Sequence, residues 1–387
     1  MFRYMPFILL AVIGTCVSIE SVMPFMVKQG LYALSLTIQS VISMLLPFII
    51  FGLLFKATVK LSGNATRIIG ITFLLVCGSN FLTTFLCQGL GIWAYGLDLT
   101  LLKLPQTGAG ITGLWTLTLP KLIANDHAMF GGILTGIIVA KKWPHQGILL
   151  SQNIECALNR VLRGIVYIIP LFVAGFVVKL QNDGVMGTIL KDYGMIFSII
   201  ALAQFSYITL AYFLLHRGNL GTFCPHIRSM LPASISGFST MSSAASLPLL
   251  IIGAEQHARS KEIIHAVIPA TINIHLVGDC IAIPVLAYAI LKSFGMPEPS
   301  LLQYTVFTLY FILAKFSVAA IPGGGIIVMT PILDAHLGFT AEMLSLITAL
   351  YILFDPVITS ANVFGNGAFA KLADRVFSDG KSQHTAA

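Results

Sequence analysis

Long uncharged runs limit this chain more than any other feature. Apolar segments able to span a bilayer fall near 5–25, 31–55, 68–95, 119–140, 163–180, 190–215, 263–291 and 342–370. A helical crossing needs about 20 residues, and 163–180 reaches that with its flanks. These runs are apolar on every side, as in helices buried in lipid or in a bundle. Only 10% of the 387 residues are charged and 57% are hydrophobic, with a mean hydropathy of +0.90. Soluble domains carry about 25% charged residues, so an integral membrane protein in contact with lipid is expected. The net charge of +7 would suggest acidic partners in a soluble protein; here it orients the chain, and no nucleic-acid partner is expected.

"MFRYMPFILLAVIG" resembles a signal peptide, but no small-residue cleavage motif follows, so a retained first span is expected. The six cysteines (Cys16, Cys77, Cys87, Cys156, Cys224, Cys280) are scattered without a CxxC. They read as small core residues.

Two further apolar stretches, 229–254 and 303–337, are interrupted by "SSAASLP" and "IPGGG". Such interruptions suggest re-entrant hairpins, which membranes tolerate only where the exposed backbone lines a protein cavity. Charge supports this. With a cytoplasmic N-terminus, four segments rich in bases fall inside: 56–67 (Lys56, Lys60, Arg67), 141–163 (Lys141, Lys142, Arg160, Arg163), 216–228 (Arg217, Arg228) and the tail (Lys371, Arg375, Lys381). Bases in the opposite loops are few and are matched by Asp98, Asp183, Asp192 or Glu298. This positive-inside pattern works only if both interrupted stretches return to their starting side. Both termini are then cytoplasmic.

The second half repeats itself. Hairpin 229–254 and a helix containing "TINIHLVGD" are followed by hairpin 303–337 and a helix containing "TSANVFGN". The hairpins enter from opposite sides, so the units are inverted, and paired broken segments point to the binding site of a secondary transporter.

Several polar residues stand where hydrocarbon should exclude them. At the first tip, Ser242, Ser243, Ala244, Ala245 and Ser246 let half-helices approach, and the helix start beyond offers N–H groups to a carboxylate; ordinary small-residue packing is the plainer reading. At the second, Pro322, Gly323, Gly324 and Gly325 fit a gate or a simple kink. Asp355, Thr359 and Asn362 share one helical face, and an intramembrane carboxylate is a functional candidate unless it forms a structural pair, for instance with Lys315. His275 and Asp279, four apart on the 263–291 helix, make either a proton-responsive pair or a packing pair. Glu20 and Lys179, near span ends, are expected to snorkel. "GKS" at 380–382 lacks the leading glycine of a phosphate loop, and no HExxH, GxSxG or paired catalytic carboxylates occur, so an enzyme is not expected. A channel-like or non-transporting membrane protein is a further class.

The order of parts resembles the dicarboxylate/amino acid:cation symporters, the family of the glutamate transporters. "SVISMLLPFIIFGLL" looks like the second helix, "NRVLRGIVYIIPLFVAGFV" the fifth and "STMSSAASLP" the serine-rich first hairpin. "PATINIHLVG" sits at the asparagine–methionine–aspartate motif, "VAAIPGGG" at the second tip and "DPVITSANVFGN" in the eighth helix. The resemblance implies an all-α fold of eight spanning helices and two re-entrant hairpins, inverted repeats and a homotrimer in a bacterial cytoplasmic (inner) membrane. It also implies an elevator. Segments 1–67 and 119–187 would be scaffold, 68–95 and 188–372 a mobile transport domain, and 373–387 a cytoplasmic tail. It places the substrate ammonium on Asp355 and its α-carboxylate on Asn362 and Ser243, with Ser242, Thr359, Gly323 and Gly324 nearby. Asn273 and Thr271 stand near the cations.

The departures carry information too. The arginine that clamps a side-chain carboxylate in acidic-amino-acid carriers is Ile358 here, and a helping threonine is Val277. A buried second carboxylate would lack donors, a penalty of several kcal/mol, so a neutral amino acid is expected over glutamate or aspartate. The motif aspartate is His275, an eighth-helix aspartate is Asn366, and a sodium site's serine and threonine are Lys315 and Val318. Sodium prefers oxygen ligands, so Lys315 is read as a tethered cation in a sodium's place. It would face carbonyls at a broken helix end, or pair with Asp279 or Asp355. No cofactor is expected; the coupling ion is H+ through His275, Asp279 or Lys315, or else Na+.

Overall fold

The computed structural model describes residues 5–63, 67–97, 111–120, 122–184, 186–316, 318 and 323–384. Pro322 and Asp98 lie outside them, as do the side chains of Lys60, Arg67 and Lys381. Among the described residues the secondary structure is helical throughout, with no strand. With so few polar side chains to bond to, a backbone in hydrocarbon satisfies its N–H and C=O groups only by coiling on itself.

The first half comprises α1 (Met5–Ile19), α2 (Phe25–Gly63), α3 (Arg67–Tyr95), α4 (Asn125–Lys142), α5 (Pro144–Asn182) and α6 (Met186–Leu215). The first hairpin is α7 (Leu220–Thr240) and α8 (Ser243–Glu255); α9 (Lys261–Thr271) and α10 (Val277–Ser293) follow. The second hairpin is α11 (Leu301–Lys315) and α12 (Gly324–Leu337), and α13 (Ala341–His384) closes the chain. Among the described residues five stretches are long and apolar enough to cross a membrane: Phe25–Lys56, Gly70–Tyr95, Pro144–Asn182, Lys191–Leu215 and Glu342–Ser378.

Several boundaries differ from the sequence reading. The span near 119–140 begins only at Asn125, because the stretch before it is non-helical and hydrogen-bonds to α2 through Trp115 Nε1 to Thr37 (2.9 Å) and Leu119 N to Ser40 Oγ (2.7 Å). The supposed loop 141–163 is helical but for Trp143. Pro144 opens α5 where a missing N–H costs nothing, and Lys56 pairs with Glu155 at 2.5 Å, joining α5 to α2. The supposed loop 216–228 turns into α7 at Leu220, with Asn219 accepting from Gly221 N as its cap. The tail from 373 continues α13 to His384, and buried Asp374 accepts from the backbone N–H groups of Arg259 (2.8 Å) and Ser260 (3.0 Å).

The largest correction concerns 263–291, which is not one helix. It unwinds over Ile272–Leu276 between α9 and α10. Neighbours support the break: Asn80 of α3 donates to the Ile274 carbonyl (2.7 Å), and Gln204 of α6 donates to that of Gly278 (2.8 Å). Glu20 and Lys179 are paired rather than snorkelling, Glu20 with Lys28 and Lys179 with Asp183 (2.7 Å). Cys156 and Cys224 are exposed, so only the other four cysteines fit the core reading at all.

The α2, α4 and α5 helices pack on one another, and α10 lies against α3, α6 and α13. Gly278 explains how closely α10 meets α13, since a Cβ there would stand 2.5 Å from the Ile358 carbonyl.

Candidate functional site

Three interruptions of helix converge on one small cavity of about 30 Å³. Hairpin one contributes Met241 and Ser243, the unwound segment Asn273 and Leu276, hairpin two Val318 and Gly325, and helices α10 and α13 Asp279, Tyr351, Asp355, Thr359 and Asn362. Bounded by the described residues, a cavity that size holds a water or two and no amino acid.

Each wall has a local cause. Met241 ends α7 in the left-handed region (φ 49°), and Ser242 caps α8 by accepting from Ala245 N (3.4 Å). The two serines therefore divide: Ser243 lines the cavity, while Ser242 shapes the turn. The small residues of α7 serve packing as well, since a Cβ on Gly237 would stand 3.2 Å from the Thr359 carbonyl. Gly323 has φ +71°, open to glycine at little cost, and this turns its N–H onto Asp355 Oδ2 at 2.8 Å. Thr359, one turn along, donates to Asp355 Oδ1 at 2.8 Å. Gly324 is buried behind the tip.

On the facing wall Lys315 Nζ lies 2.6 Å from Asp279 Oδ2, and both side chains are buried. This corrects the expectation that the ammonium faces broken-helix carbonyls. Lys315 is the last residue of α11 and Asp279 stands in the first turn of α10, so each charge also sits at the helix end that favours it. Asp279 Oδ1 accepts from Tyr351 (2.8 Å) and Asn362 (3.2 Å), and the Asp279 N–H donates to Asn362 Oδ1 at 3.3 Å. The Lys315 ammonium also lies 4.6 Å from the Phe311 ring centre.

Other residues do not join this cluster. His275 belongs to the unwound segment rather than to a helical face shared with Asp279. Its Nε2 bonds Ser79 (2.9 Å) and its ring packs on Phe369 (4.4 Å). Thr271 and Asn366 bond each other (3.1 Å) and do not line the cavity. Asn273 does line it, and its buried Oδ1 has no partner among the described residues. Ile358 and Val277 are buried, but neither lines the cavity; Val277 instead borders an apolar groove with His275, Ser79, Tyr207 and Phe369.

Sequence reasoning missed Tyr351, which stands four residues before Asp355 and touches Asp279. That spacing was the available signal. It also missed Asn80 and Gln204, polar side chains within membrane helices that hold carbonyls of the unwound segment and of the first turn of α10 beyond it.

Taken chemically, the cavity presents one carboxylate, Asp355, whose donors among the described residues are neutral, and a second, Asp279, already joined to an ammonium. The first can receive a cationic group. The family model described as "Sodium:dicarboxylate symporter family" matches residues 127–376, more than half of the chain.

Proposed function

The chain belongs to the sodium:dicarboxylate symporter family, and from that premise we propose that it is a symporter of neutral amino acids with altered, proton-linked coupling. Membership makes it an integral membrane secondary active transporter, and members of this family are transporters rather than enzymes.

One observation carries the substrate reading: Asp355 closes on a neutral N–H of hairpin two while Lys315 is committed to Asp279. A substrate ammonium takes the place of the Gly323 N–H, with Thr359 holding the carboxylate in orientation. Ser243, at the start of α8, meets the α-carboxylate, where free N–H groups favour an anion. Asn362 is tied to Asp279 and acts as a wall. A second substrate carboxylate would find no uncommitted cation among the lining residues, and an unpaired buried charge is prohibitive. Substrate reaches the cavity only when hairpin two lifts, which makes that hairpin the gate.

In this reading eight spans and two hairpins form an elevator. Segments 68–95 and 188–372 move against a scaffold of 1–67 and 119–187 in a homotrimer. The protein lies in a bacterial inner membrane with both termini in the cytoplasm. Thr271, Asn273 and Asn366 border the path of any coupling ion. His275, without a carboxylate partner among the described residues, is set aside as the proton carrier.

The family description favours a second reading, a sodium-coupled dicarboxylate symporter in which Lys315 releases Asp279 to hold a carboxylate. A thermal-shift panel of the twenty amino acids and small dicarboxylates, with and without sodium at two pH values, separates the two. Stabilisation by a neutral amino acid supports the first reading. Stabilisation by dicarboxylates alone, and only with sodium, establishes the second.

A further inference from the structure

Three imidazoles meet at the base of hairpin one. His216 stands in the α6–α7 turn, His226 on the first arm of the hairpin and His257 just beyond the second, between α8 and α9. His216 Nδ1 bonds Thr222 Oγ1 (2.9 Å) and its Nε2 bonds His226 Nδ1 (2.9 Å). The His226 ring is stacked on that of His257 at 4.6 Å and meets Tyr212 edge-on at 5.1 Å. His257 in turn donates to the Pro225 carbonyl, and its own carbonyl accepts from Lys371 of α13. One small cluster thus fastens α6, both arms of the hairpin and α13 together.

The cluster is built for neutral rings. Between His216 Nε2 and His226 Nδ1 one nitrogen must bring a proton and the other a lone pair. His226 is 1% exposed, and its Nε2 has no partner among the described residues. A proton added to His226 makes both ring nitrogens donors, and a buried unpaired charge is costly. The charges that reach the rings are positive, Lys371 and Arg375 of α13. Arg217, Arg228 and Arg259, on the same segments, are exposed and bring no negative charge. The acids at this end are engaged elsewhere. Asp374 accepts from the Arg259 and Ser260 N–H groups and lies 3.8 Å from Lys371, and Glu255 pairs with His265 and Lys261. Burial and these cations hold all three rings below the ordinary 6.5, His226 furthest, to about 3.

We propose that the three histidines form a proton-released clasp: acid on the side of the membrane where hairpin one has its base detaches the α6–α7 turn and loosens the hairpin. The turn is suited to giving way, since Arg217 sits at φ 53° beside Gly218 at φ 76°, and left-handed geometry is strained for arginine. An imidazole that swings into water regains its ordinary affinity for a proton, so acid favours the detached state. The clasp carries no proton across the membrane; it sets how firmly the hairpin is held. Ser243 lines the cavity from the tip of the same hairpin, so release at the base reaches the site. That last step alone rests on the carrier reading above.

Hydrogen–deuterium exchange of the unaltered chain in detergent, with labelling times scaled to the intrinsic rate at each pH, reads the clasp directly. Below neutral pH, peptides within 215–228 and 255–260 should exchange about tenfold faster per pH unit for each proton taken up on opening. Peptides of α10 should keep their protection. His226→Gln should lose most of that pH dependence, and His216→Arg, with its fixed charge, should exchange fast already at neutral pH. Protection independent of pH in the unaltered chain overturns the clasp, whatever the variants do. So does an undiminished slope in His226→Gln, or an equal rise in α10, which would be global unfolding. Calorimetric titration with whichever of the twenty amino acids stabilises the chain then tests the reach to the cavity. Its Kd should rise with acid more steeply in the unaltered chain than in His226→Gln. Equal slopes overturn that reach, and no binding of any amino acid defeats the carrier reading instead.

Discussion

Lys315 and Asp279 meet at 2.6 Å with neither side chain more than 1% exposed. They stand 36 positions apart in sequence and join the end of one helix to the start of another. Removing one partner of such a pair leaves the other buried and bare, which costs about 3–5 kcal/mol. Lys315→Met is therefore expected to destabilise the fold by about that amount in sodium-free buffer. Adding Asp279→Asn should recover most of the loss, because no charge is then stranded. Unfolding of all three proteins in one detergent measures both quantities, and a double variant as unstable as Lys315→Met alone would contradict the pairing.

Asp355 tests the substrate site with little risk to the fold. In Asp355→Asn the amide oxygen still accepts from Thr359 or Gly323, but the charge is gone. Hydrogen bonds to charged groups contribute about 1.5–3 kcal/mol, so ligand affinity should weaken about ten- to a hundredfold. The melting temperature without ligand should change little. Isothermal titration of the stabilising amino acid against both proteins reads the difference.

Gly325 fits where a methyl group does not. An added Cβ would strike the Tyr351 hydroxyl and come within 2.6 Å of Asp279 Oδ2. Forcing a methyl into a filled site costs about 1–3 kcal/mol, and this conformation bears that cost. Gly325→Ala should raise the apparent Kd and increase protease cleavage near the hairpin tip. Unchanged affinity would mean that hairpin two does not close on Asp279 during binding.

Acid should loosen the end of the molecule where α6 turns into α7. There His216 and His257 titrate below the ordinary value of 6.5, through burial first and then the positive charge of Lys371. Because their folded values are depressed, the unfolded chain binds protons first as pH falls. Stability is full above about 6.5 and declines below it, until the folded values are passed. His226, bonded to His216 and stacked on His257, is lowered furthest, to about 3, by burial. His226→Gln should therefore flatten most of that decline in melting temperature between neutral and mildly acidic pH, and His216→Gln with His257→Gln only a smaller part.

The cavity was legible because polar residues inside hydrocarbon-length runs are few. Asp355, Thr359 and Ser243 stood out by chemistry alone, and the two tips by their small residues. Tyr351 did not, because an aromatic in an apolar helix looks like packing until its neighbour across the cavity is known. The partner of Lys315 stayed open for the same reason, since nothing local relates α11 to α10. The break at Ile272–Leu276 was hidden by flanking isoleucines and valines that suit a helix as well as a buried extended stretch. The first half of α5 was read as a loop because its polar residues interrupt the apolar run, although they lie along a helix that α2 covers on one side.

Asn80 and Gln204 give that break an unexpected mechanical character. Side-chain amides from two other helices grip the carbonyls on either side of His275, and the His275 N–H donates to the Thr271 carbonyl at 2.8 Å. A stretch so held behaves as a bracket, not a hinge, and its amide hydrogens should resist exchange with deuterium as well as those of the helices it joins.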